Sequence, residues 1–167
     1  GTLRAALAGA ANGDTIDATG VSGTILLTSG ELLVPNSVTI VGPGPANLAV
    51  NGNAAGRVFN ISGTVVTIAG LTITNGNASG GFGGGIYNAA TLTVSASTLS
   101  GNSAGSGGFG GGIYNGFSAT LTVSNSTLSG NSAGFGGSIH NDGTLLVSTS
   151  TLSGNSAQFG GGIHNIA

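Results

Sequence analysis

The 167-residue sequence contains no cysteine, methionine, tryptophan or lysine, and only two arginines, Arg4 and Arg57. Charged residues make up 4% of it, against roughly a quarter in an ordinary soluble domain. Without cysteine there is no disulfide framework. A net charge of −2 supplies no electrostatic footprint for nucleic acid and no polybasic membrane anchor. No apolar run approaches the ~18 residues of a spanning helix, so no membrane insertion within this chain is expected. The four acids are Asp14, Asp17, Glu31 and Asp142, and no two share a column in adjacent repeats. Paired-carboxylate chemistry on glycosides is therefore not expected, and the chain reads as a nonenzyme with no cofactor.

What is present is glycine, threonine, serine and β-branched residues. The 35 glycines follow no three-residue period, which excludes a collagen helix. A positive mean hydropathy of +0.39 argues against intrinsic disorder. The absent initiator methionine suggests a processed or internal fragment.

Internal repetition is the main signal. "TLTVSASTLSGNSA" (91–104) returns as "TLTVSNSTLSGNSA" (120–133) and "TLLVSTSTLSGNSA" (144–157), with a weaker relative at 64–78. The hexapeptide "GGGIYN" occurs at 83–88 and 110–115, then as "GGSIHN" (136–141) and "GGGIHN" (160–165). Its isoleucines, Ile86, Ile113, Ile139 and Ile163, stand 27, 26 and 24 residues apart. Apolar residues alternate with Thr and Ser inside each block, a period-2 pattern with one buried face. The expected fold is an all-β, single-stranded parallel β-helix with three short strands per coil of about 24–27 residues. Connectors vary while strands stay constant, as loops on a regular scaffold should.

Such a coil predicts columns of like residues. Phe82, Phe109, Phe135 and Phe159 form one, read as part of the apolar interior with the Leu92, Val94 and Leu99 columns. Asn88, Asn115, Asn141 and Asn165 form an amide ladder, and Asn102, Asn131 and Asn155 form a second. At least one of these ladders is expected to face inward at a bend.

Leu3, Ala6, Leu7 and Ala10 have helical spacing, so a short helix is expected to cap the first coil. The chain reads as one domain, with the cap in 1–20, irregular first coils in 21–63 and regular repeats in 64–167. The carboxyl end carries no capping helix in its sequence pattern, and an uncapped coil is a surface for further strand pairing.

The run "GTLRAALAGAANGDTI…GTILLTSGELLV…SVTIVGPG…RVFNISG…GLTITNGNA…GGGIYN…TLTVSNSTLSGNSA" resembles bacterial right-handed parallel β-helix repeat proteins, secreted or surface-displayed. The hexapeptide also resembles the repeat of chlamydial polymorphic outer-membrane proteins, with Gly or Ser at that repeat's alanine position. The resemblance implies a right-handed pectate-lyase-like superhelix and an extracellular or cell-surface location. It covers nearly the whole chain, but the scaffold serves adhesins, lyases and fibres alike.

His140 and His164 share a column with Tyr87 and Tyr114, which favours a plain aromatic ladder over a weak metal or pH-sensitive site. The glycine-rich stretches lack the Lys-Ser/Thr of a phosphate loop. Outward Thr and Ser columns suit an exposed β surface, with an ice-binding grid as a lesser alternative broken at Leu146. "NIS" (60–62), "NAS" (77–79) and "NST" (125–127) match a glycan acceptor pattern. The leading functional expectation is a noncatalytic structural subunit that self-associates end to end into a surface fibre. The alternatives are a repeat segment of a larger adhesin and, after it, a polysaccharide-binding or ice-binding solenoid.

Overall fold

A computed structural model describes residues 1–166. The chain winds into a parallel β-solenoid of about six turns, preceded by one short helix. Three six-stranded sheets form its sides. The first stacks Thr15–Asp17, Thr39–Val41, Val65–Ala69, Thr91–Ser95, Thr120–Ser124 and Thr144–Ser148. The second stacks Gly23–Leu26, Leu48–Asn51, Thr72–Thr74, Thr98–Ser100, Thr127–Ser129 and Thr151–Ser153. The third stacks Leu32–Val34, Phe59–Ile61, Ile86–Asn88, Ile113–Asn115, Ile139–Asn141 and Ile163–Asn165. Register follows the repeat: Leu92 pairs Leu121, Ile113 pairs Ile139 and His140 pairs His164.

A fourth, narrow sheet adds Ser103–Phe109, Ser132–Phe135 and Ser156–Phe159 in the later coils. Sequence patterning hides it because its strands are small and glycine-rich, and its first strand carries register shifts around Gly105.

The core is a set of vertical apolar columns. Val66, Leu92 and Leu121 are fully buried, as are Ile68, Val94 and Val123, and Ile73, Leu99 and Leu128. Alternation along each strand turns the Thr and Ser partners outward. The phenylalanine column departs from the sequence expectation. Phe82 and Phe159 are exposed and Phe109 and Phe135 half-buried, so it stands outside the core. The reason is glycine: Gly110 and Gly136 have φ of +68° and +67°, and this turn separates each Phe from the inward Ile.

The helix, Leu3–Gly9, starts at an N-cap where Thr2 Oγ1 accepts from Ala5 N at 3.1 Å. It buries only Leu7, with Leu3 and Ala10 against the core. Ala6, expected on the buried stripe, is exposed, because seven residues give barely two turns. An apolar cavity of about 400 Å³ remains between the helix and the first coils, lined by Leu3, Ile16, Val21, Ile25 and Leu48.

Candidate functional site

The bends are the polar part of the interior. Asn88, Asn102, Asn115 and Asn131 are fully buried, and Asn141 nearly so, so both amide ladders face inward. In the first, Nδ2 of Asn88 donates to Asn115 Oδ1 at 2.7 Å, and Asn115 repeats this to Asn141 at 2.6 Å. Asn141 continues to Asn165 Oδ1 at 2.6 Å. Each amide also satisfies main-chain carbonyls where strand pairing stops, such as Thr120 O for Asn88.

A third ladder escaped sequence reading. Ser97, Ser126 and Ser150 each donate Oγ–H to the carbonyl two residues back, at 2.7, 2.7 and 2.8 Å. The amides of Ser97 and Ser126 donate to the hydroxyl one coil later, at 3.2 and 3.1 Å. The residues before them, Ala96, Asn125 and Thr149, hold φ of +46°, +49° and +47°. The available signal was the constant second serine in "SASTLS", "SNSTLS" and "STSTLS" amid a variable middle residue.

Outside, two aromatic columns run side by side. Phe82, Phe109, Phe135 and Phe159 stack with centroids 5.4, 4.9 and 5.0 Å apart. Tyr87, Tyr114, His140 and His164 stack at 5.5, 5.6 and 4.9 Å. Phe109 and His140 meet nearly perpendicular, with centroids 4.9 Å apart. Spacing close to the strand separation explains the stacking, since in-register side chains inherit the coil pitch.

Asp142 ties two coils of the second column together, and His140 carries the link to a third. Asp142 Oδ2 accepts from the Tyr114 hydroxyl at 2.5 Å, and its Oδ1 lies 2.8 Å from His140 Nε2. His140 Nδ1 lies 3.2 Å from His164 Nδ1. Burial holds the His140 imidazole below its ordinary range, against the upward pull of Asp142, with His164 adding to the depression. Burial and then Asp142 push the Tyr114 phenol well up. Asp142 and His164 engage opposite ring nitrogens of His140, so the three do not converge on one point. Among the described residues no group of three or more His, Cys, Asp or Glu is arranged to hold a metal ion.

The few remaining charges lock the early coils. Arg57 pairs with Glu31 at 2.9 Å, donates to the carbonyls of Phe82 and Gly83, and lies over the Tyr87 ring. Arg4 donates to the carbonyls of Glu31 and Gly30. Asp14 accepts from Ala11 N, and Asp17 from Thr19, so these acids stabilise turns. Of the glycan acceptor candidates, Asn125 is exposed, while Asn60 donates to Glu31 and Asn77 accepts from Ser79 N.

The last described coil shows what its predecessors hide. Leu121, Val123, Leu128 and Ile139 are 0% exposed, while Leu145, Val147 and Leu152 are only half-buried and Ile163 is 38% exposed. No helix among the described residues is long and apolar enough to cross a membrane. No known protein family, curated protein or solved structure matches the chain, so fold and geometry carry the functional reading.

Proposed function

We propose that the chain is a noncatalytic structural module, a stiff segment of an extracellular or cell-surface fibre that lengthens by coil-on-coil stacking. The observation that supports this is the register itself: apolar columns, amide ladders and strand pairs repeat residue for residue from coil to coil, an arrangement that a further coil extends unchanged. Stacking there buries apolar surface and pairs strand edges at once, and the low net charge leaves little repulsion between copies. Electron microscopy of the chain at neutral pH tests the proposal. Filaments about one solenoid wide support it, and single particles at every concentration oppose it.

A second reading, a repeat segment within a larger adhesin-like surface protein, has its own support. The helix lies over the first coil, where an incoming final coil would have to dock, and Arg4 holds it to Gly30 and Glu31. Stacking between copies must displace that helix, whereas coils continuing within one polypeptide need not.

A further inference from the structure

The Tyr-to-His change in the hexapeptide puts two imidazoles in contact where the earlier coils hold phenols. The donor and acceptor pattern at that contact is determined. Asp142, as a carboxylate, only accepts, so His140 Nε2 carries a hydrogen and donates to it. Neutral His140 then has its lone pair at Nδ1, and His164 Nδ1, 3.2 Å away, must be the donor. The chain of bonds runs from Tyr114 to Asp142, from His140 to Asp142 and from His164 to His140, crossing three coils.

One added proton leaves this contact intact. Placed on His164 Nε2, it keeps the Nδ1–H of His164 pointed at His140. Placed on His140, it reverses the bond, with His164 accepting. A second proton puts N–H groups on both Nδ1 atoms and a positive charge on each ring, so the contact has to open.

The surroundings give the contact little relief. His140 is 2% exposed, stacked between Tyr114 one coil before and His164 one coil after, with Phe109 alongside. The charged group facing it is Asp142; Arg57 lies farther off, at the Tyr87 end of the column. Nothing in that set offsets two imidazolium charges at once.

We propose that Tyr114, Asp142, His140 and His164 form an acid-sensitive latch that holds the strand Ile163–Asn165 on Ile139–Asn141 and releases it when both histidines are protonated. The latch acts within one copy and does not depend on association between copies.

Side-chain NMR titration of both histidines, with amide hydrogen exchange at Ile163–Ile166, tests this on the full chain at a concentration where it is monomeric. The expected result is that protection of those amides falls at least tenfold, after correction for intrinsic exchange, as both rings become protonated. His164→Tyr, which restores the residue of the earlier coils, should leave one step at His140 and remove the acid-induced loss of protection. Unchanged protection with both rings protonated, or the same loss of protection in His164→Tyr, would overturn the proposal.

Discussion

Asn102 and Asn131, one coil apart and both fully buried, meet at a single oxygen: the main-chain N and the Nδ2 of Asn102 each donate to Asn131 Oδ1 at 3.0 Å. Asn131 Nδ2 in turn donates to Leu99 O and to Asn155 Oδ1, both at 3.0 Å. One side chain therefore satisfies four groups in the two flanking coils. Asn131→Ala leaves several of them buried without partners, at a cost of about 3 kcal/mol or more. Thr122→Ala, on the outward face of a neighbouring strand, should stay within about 0.5 kcal/mol. Urea denaturation of the two variants makes the comparison.

The second glycine of the first three hexapeptides, Gly84, Gly111 and Gly137, is a packing requirement. A Cβ on Gly111 would lie 2.4 Å from the carbonyl oxygens of Gly137 and Ser132, both main chain and unable to swing aside. Gly111→Ala should force adjacent coils apart and cost about 3 kcal/mol, in the upper range for overpacking. Gly107, where a Cβ meets nothing within 4 Å, is the control and should tolerate alanine. Thermal unfolding of both variants checks this.

Ser138 stands where the other hexapeptides have Gly85, Gly112 and Gly162, and it is fully buried. Its Oγ is the one buried side-chain polar atom without a partner among the described residues. Ser138→Ala removes that hydroxyl and keeps the Cβ, so it should raise stability by about 1 kcal/mol. A higher urea midpoint with an unchanged slope is the expected readout.

These residues show how far the sequence was legible. Strands, coil length, Leu and Val columns and asparagine ladders follow from a strict repeat whose periodicity maps directly onto pitch. The Phe column was placed on the wrong side because inward and outward depend on a left-handed glycine, which a repeat pattern does not reveal. The serine ladder was missed because serine in a Thr/Ser-rich strand reads as surface. At the candidate site the sequence aligned His140 with His164 and set Asp142 two residues on. Which ring nitrogens those neighbours engage depends on rotamers, and only coordinates show that.

The pH response follows from His140. Its imidazole holds a proton less readily when folded than the ordinary 6.5, because it is buried. Between that lowered value and 6.5 the unfolded chain binds more protons, so stability present above pH 6.5 is lost as pH falls through the window. His140→Tyr should flatten this decline. Urea midpoints at pH 7.5, 6.0 and 5.0 for both chains give the measurement.

The central claim is that coils of separate copies stack in the register seen within one chain, and sedimentation velocity against protein concentration tests it most directly. The wild-type chain at neutral pH should show species growing with concentration. Ile163→Asp places a carboxylate on the half-covered end of the core, where stacking would bury it unpaired, and should sediment as a monomer with an unchanged circular dichroism spectrum. A wild-type chain that remains monomeric at every concentration, or an Ile163→Asp chain that associates equally well, would contradict the account.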